Sequence, residues 1–428
     1  LISYASTFFS RTLQSIGIPS VINFIHFLII PIAFLIAICN TKTKNHEQIR
    51  ISNQLLFGLV LLLTTSVASA LLNKAGFINI ILNFLLWAEP FMLLLGLISL
   101  SMPPKNIYIL RSWVVYFNIF NLLLAFFQCF ALGLSGDYMQ GVFFKSGAGH
   151  VVGSAVTLSF SFYYLASFKN NSKWVRNLIL FGSFAHLLLA DTKQVLATFV
   201  IGFAIMFLTK LEKPITTLAY IIGFILLVII FLWAVQNVDA LYPYKSWINR
   251  SELYGLEGDA TQFKIDGIRM VLANYNSPIH WFLGLGPGHT LDRFAGMLGE
   301  YSSLLKPLGA TTTPVSEQIW PYAINHYLGP ARGTSFFAPV FGWAAIWGDL
   351  GFIGLLVYLY ICSIIWRRIC VDDVSKLLML SAGIHGFIFT QMQEPGYMLS
   401  IAVFIGLRWH EKQLLLKNMR KEKLEYIA

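Results

Sequence analysis

Charge is scarce in this sequence. Only 12% of its 428 residues are Asp, Glu, Lys or Arg, while 57% are hydrophobic. A soluble chain of this size carries about twice that charged share, so a soluble globular domain is excluded. Cysteine is scarce too. Cys39, Cys129, Cys362 and Cys370 fall within or beside apolar runs, with no CxxC spacing. They read as packing residues, not as a disulfide framework or a metal set. No Walker motif and no HExxH pair occurs, so ATP-driven chemistry and zinc hydrolysis have no basis here, and no metal or other cofactor is expected. Internal repeats, low-complexity tracts and a cleavable signal peptide are likewise missing.

Apolar length is what the chain has in abundance. Hydrophobic runs predict eleven membrane-spanning helices, near 20–39, 54–72, 77–101, 113–134, 150–168, 177–190, 194–209, 215–234, 339–361, 377–391 and 395–408. The expected fold is an all-α integral membrane protein, a polytopic helical bundle with one large outer loop. Three parts follow: N-terminal spans over 1–234, the loop over 235–338, and C-terminal spans with a basic tail over 339–428. The chain begins at Leu1, and a piece upstream of it is expected. A further span there would make twelve.

The formal net charge is +10, which by itself suggests a nucleic-acid partner. Its distribution argues otherwise. Nineteen of the 30 Lys and Arg fall in connections on one side of the eleven-span layout, from Lys42, Lys44 and Arg50 to the tail residues Arg408 to Lys423. The positive-inside rule makes that side cytoplasmic. The basic excess then marks orientation and contact with lipid headgroups, and no nucleic-acid partner is expected.

The opposite side holds the long loop, too long for a simple turn. At its centre stands "HWFLGLGPGHT", His280 to Thr290, with Gly284, Gly286 and Gly288 alternating. Two readings stand. The glycines let backbone approach an anion, held by Arg269, His289 and Arg293, with histidine as a proton acceptor. Alternatively, they form a tight packing loop whose histidines bond backbone carbonyls. Other polar groups on this side also carry two readings. Lys193 beside Asp191 is a phosphate ligand or an interfacial ion pair. Lys145 and His150 line a site or merely start a helix. Asp349, flanked by glycines within a span, is functional or a packing residue, and Glu89 and Glu394 are weaker instances. Arg332 and His326 lie late in the loop.

Basic groups, histidines and a carboxylate on one outer face suit a lipid-linked pyrophosphate. At this point the chain resembles the O-antigen ligase and polymerase family of bacterial glycan-assembly enzymes. The resemblance rests on Arg269 on a short helix, then "FLGLGPG", then "WGDLGFIG" with Asp349, Gly351 and Gly354. Thr192-Lys193 stands where family members carry Ser-Arg, and "GVFFKSGAGHVVGSAVTL" is similar to their lead-in to a middle span. The likeness covers roughly 140–360. It departs at "RGTSFFAPVFGW", which lacks the family's histidine. His289 or His326 then stands in for it.

The resemblance implies a metal-independent, inverting glycosyltransferase in the bacterial inner membrane, with the loop periplasmic and the C-terminus cytoplasmic. Its donor would be an undecaprenyl-pyrophosphate-linked glycan. Polymerisation of repeat units for O-antigen or exopolysaccharide is the favoured activity, with a ligase to lipid A core or a lipid-linked glycan flippase as alternatives. Membrane lipids and the pathway's chain-length regulator and flippase would be its partners. The expected catalytic residues are His289, His326 and Asp349. Arg269, Arg293, Lys193, Arg332, Lys145, Gly286 and Gly288 would bind substrate.

Overall fold

A computed structural model describes residues 1–40, 45–144, 148–208, 214–238, 245, 255–328 and 335–427. Helix dominates, and no strand occurs among the described residues. In chain order the helices are α1 (Ile2–Phe8), α2 (Ser10–Ser15), α3 (His26–Cys39), α4 (His46–Asn73), α5 (Phe77–Ser99), α6 (Pro104–Phe130), α7 (Gly149–Ser167), α8 (Lys173–Leu189), α9 (Lys193–Leu208) and α10 (Pro214–Asn237). The loop region contributes α11 (Asp259–Ala273), α12 (Ile279–Leu283), α13 (Arg293–Glu300), α14 (Ser302–Leu305) and α15 (Pro314–Leu328). Then come α16 (Gly342–Ile364), α17 (Asp373–His385) and α18 (Pro395–Ile427).

Each expected span overlaps a helix, but among the described residues five stretches are long and apolar enough to cross a bilayer. They are Ser20–Cys39, His46–Asn73, Phe77–Ser99, Pro104–Phe130 and Gly342–Ile369. The span expected near 377–391 differs most. α17 stops at His385, and a turn with a short 3-10 segment, Thr390–Gln393, leads into α18.

Hydrophobicity all round a helix predicts burial on every side. α5 fits: Phe84 to Phe91 are each buried, and it packs against α3, α4 and α18. α7 is buried for another reason. Its small and hydroxylated residues allow close approach, and the hydroxyls bond within the helix. Ser154, Thr157 and Ser159 each donate to the carbonyl four residues earlier, at 2.7 Å.

The two ends of the bundle differ chemically. At one end Arg408 donates to Asp372 and Glu411, tying α18 to the start of α17, and Arg111 of α6 lies 3.8 Å from Glu411. At the other end the loop helices settle on α4 and α5. Asn73 donates to Gly284 O at 3.0 Å, and Asn79 donates to the carbonyls of Pro287 and Thr311 at 3.1 and 3.0 Å.

α16 is broken at Gly351, whose φ of +64° and ψ of −166° are not helical. The rings of Trp343 and Tyr358 lie 5.8 Å apart. In a straight helix their fifteen-residue separation would be roughly 22 Å. The two halves therefore fold side by side. The first half's leading N–H groups find carbonyls in the turn after α17: Gly342 N donates to Phe389 O and Trp343 N to Gly386 O. Lys264 of α11 donates to Ile388 O in the same turn at 2.8 Å, over the face of Phe341. Non-helical backbone inside a membrane protein persists only where protein or an aqueous cavity satisfies it. Here protein does so.

Candidate functional site

The glycine loop meets the break in α16. Leu285 N donates to Gly348 O at 2.8 Å, and Gly286 N to Asp349 O at 3.1 Å. The contact is backbone on backbone. A Cβ at Gly284 would sit 2.3 Å from the Asp349 carbonyl carbon, and one at Gly351 would sit 2.3 Å from the Phe282 carbonyl carbon. Both glycines have positive φ, so an L side chain is excluded by conformation as well as by space. Gly286 and Gly288 are tight too, against His289 and Phe294.

Asp349 locks this joint. Its side chain is fully buried and accepts from Gly288 N at 2.8 Å, Thr290 Oγ1 at 2.5 Å and Asn83 Nδ2 at 2.8 Å. The Asn83 amide also donates to Asp292, which caps α13 through Ala295 N. Burial pushes the Asp292 carboxyl up to about 6, against the hydrogen bonds it accepts.

His289 belongs to the same joint. It is buried, with Nδ1 2.9 Å from Leu285 O and Nε2 2.9 Å from Thr311 Oγ1. A carbonyl only accepts, so Nδ1 carries the proton and Nε2 accepts from the hydroxyl. Burial lowers its pKa, favouring that neutral form. Both ring nitrogens are engaged, as the packing reading of the loop expects.

The remaining described sequence candidates fall in two groups. Arg269 is largely exposed on α11 and pairs with Asp266 at 3.0 Å. Lys193 pairs with Asp191 at 2.7 Å. His150 lies 3.3 Å from Asp137. His326 stacks on Phe263 with ring centres 3.7 Å apart, and its Nε2 has no hydrogen-bond partner among the described residues. Lys145 and Arg332 lie outside the described residues. Among the described ones, Lys193 and His150 share the neighbourhood of Asp191, and Arg269 and His326 are joined across α11 and α15, where Tyr322 donates to Asp266 and its ring lies 6.4 Å from that of His326.

The structure brings Arg293 together with residues that sequence reasoning missed. A cavity of about 640 Å³ lies between the loop helices and the bundle, walled by Arg11 of α2, His26 of α3, Arg293 and Glu300 of α13, Trp320 of α15 and Glu394. Arg293 forms an ion pair with Glu394, and its backbone N–H donates to Gln393 Oε1 at 2.8 Å. Burial and the neighbouring Arg11 both work against the Arg293 charge, and Glu300 and Tyr301 oppose them. Arg11 has no carboxylate within ion-pair distance among the described residues and donates only weakly to Gln14 at 3.5 Å. Burial lowers its pKa, while Glu300 and Tyr301 oppose that. A partly desolvated guanidinium without a carboxylate favours an incoming anion.

His26 Nδ1 lies 2.7 Å from Glu89 Oε2, with both side chains nearly inaccessible. Nδ1–H donates to the carboxylate, which leaves Nε2 as the unprotonated nitrogen of a ring on the cavity wall. The signal that finds this pair from sequence is Glu89 itself. An acid inside an apolar run requires a partner, and His26 is an ionisable group in another such run. Arg11 offered no signal, because its segment belongs to no span.

No cluster of three or more His, Cys, Asp or Glu suited to a metal occurs among the described residues. Compared with known proteins, the chain matches no family model and no curated sequence.

Proposed function

We propose that this protein is a glycosyltransferase of the bacterial inner membrane that joins repeat units carried on undecaprenyl pyrophosphate. The observation that carries this reading is one cavity walled by two arginines and a carboxylate-oriented histidine. In this reading eleven helices span the membrane, or twelve with one upstream. The cavity and the 235–338 loop face the periplasm, and the basic end faces the cytoplasm.

Arg11 holds the donor pyrophosphate, and Arg293 exchanges Glu394 for a phosphate oxygen. The acceptor hydroxyl attacks the anomeric carbon from the opposite face. The new C–O bond forms as the bond to pyrophosphate breaks, and the leaving oxygen keeps that electron pair. The hydroxyl proton passes to His26 Nε2, and Glu89 stabilises the resulting imidazolium. Trp320 and Tyr301 offer flat walls for sugar rings. Configuration inverts.

The test is purified protein with lipid-linked repeat units and no nucleotide sugar. A ladder of products is expected, lost in Arg11→Ala and His26→Ala. Transfer to lipid A core instead would make the protein a ligase. A transporter is the second reading, favoured by the break in α16, since interrupted helices line many transport sites. Movement of the intact donor across vesicles without bond cleavage would select it.

A further inference from the structure

A second cavity, of about 470 Å³, lies between α5, α9, α16, α17 and α18. Phe91, Leu94, Ile205, Met379 and Ala402 give it an apolar wall. Its rim includes Leu359, 43% exposed, and Phe387, 61% exposed. No soluble ligand reaches such a cleft, whereas an acyl chain is already in solution there.

One end of the cleft is not apolar. Trp366 and Arg367 line it, and Lys376 Nζ lies 5.5 Å from the Trp366 ring centre. Arg367 and Arg368 are exposed. Of the acids on the neighbouring turn, Asp372 is bound by Arg408, and Asp373 is the other. Arg367, Arg368 and Lys376 make this end basic. Tryptophan is the side chain that settles at a headgroup boundary, and basic groups between helices hold anionic headgroups there.

We propose that this cleft binds an anionic phospholipid from the leaflet at the basic end of the bundle. One acyl chain fills the cleft, and the headgroup phosphate sits at Arg367 and Lys376. The site does not depend on the glycosyltransferase reading.

The experiment uses the full chain in nanodiscs of phosphatidylethanolamine and phosphatidylglycerol. A trace of phosphatidylglycerol with a photoactivatable acyl chain is added, and adducts are mapped by peptide mass spectrometry. Adducts on 359–363, 379–383 and 402–405 should exceed those on the exposed face of α10, at Ile229 and Ile230, several-fold. Ala402→Trp should remove most of them by filling the cleft. Arg367→Gln with Lys376→Gln, both at accessible positions, should leave folding intact and erase the preference over a photoactivatable phosphatidylcholine. Equal labelling of α10, or equal yield from the phosphatidylcholine probe with the native protein, would overturn the proposal. So would displacement of the probe by polyprenyl phosphate but not by unlabelled phosphatidylglycerol.

Discussion

Two polar clusters lie at the loop end of the molecule, and they share a vocabulary. The joint around Asp349 contains two carboxylates, a histidine and an amide. The cavity contains two arginines, carboxylates and a histidine. They differ in how their charged and ring groups are bonded. Asp349 accepts three hydrogen bonds, and His289 uses both ring nitrogens. In the cavity Gln391 Oε1 has no partner among the described residues and Arg11 pairs with no carboxylate there, although Asn83 Oδ1 in the joint is unpartnered too. Buried polar groups that are fully bonded rigidify a fold, and those left short of partners are places where a ligand completes the set. In the proposed reading the first cluster is structural and the second carries the chemistry.

His26→Ala gives the largest effect and the sharpest test. Turnover of lipid-linked repeat units should fall about a hundred- to ten-thousand-fold while the protein accumulates and elutes normally. Normal turnover in this variant would take the cavity out of the chemistry.

Asp349→Ala breaks the comparison from the other side. It strands Gly288 N–H, the Thr290 hydroxyl and one Asn83 contact in a buried site. The expected loss is about 3 kcal/mol or more, read as a lower thermal midpoint in detergent. A stable protein with abolished turnover would instead move Asp349 into the reacting group, as the family resemblance suggests.

Lys264 donates to Ile388 O in the turn that leads to Glu394. Burial draws its pKa down to about 7. The unfolded chain keeps that proton up to about pH 10.4. Between these values the unfolded state binds more protons, so stability rises with pH. The thermal midpoint should climb from about pH 7.5 to about 9.5, with a flatter profile in Lys264→Met. Identical profiles would show that the ammonium stays charged at its carbonyls.

Arg269→Ala gives the smallest effect. An exposed ion pair contributes about 0.5 kcal/mol at most, and turnover should be retained. Loss of turnover with the fold intact would favour the resemblance over the cavity.

Much of the helical layout was legible in the sequence, because apolar length and basic connections are properties of single segments. The end of α17 at His385 was not, since the apolar run continues through Phe387, Ile388 and Phe389 while the backbone turns to serve Gly342 and Trp343. The loop at Gly284 to His289 was half legible. Its glycines announced a close approach, but the approaching body, the backbone at Gly348 to Gly351, lies more than sixty residues later in the chain. The cavity as a unit escaped the sequence reading, which named Arg293, Glu89 and Glu394 but not Arg11 or His26, because these groups come singly from distant segments and only packing unites them.

The break in α16 also sets an order of assembly. Every group that receives it is made earlier: Ser69, which donates to Asp349 O, then Asn83, then the N–H groups of Leu285 and Gly286. A growing chain therefore holds a finished socket before residues 348–351 leave the ribosome. Until they arrive, the amides of the glycine loop are exposed donors at the mouth of the bundle. A chain halted before Gly348 should keep those amides open to hydrogen exchange, and release of the arrest should close them together.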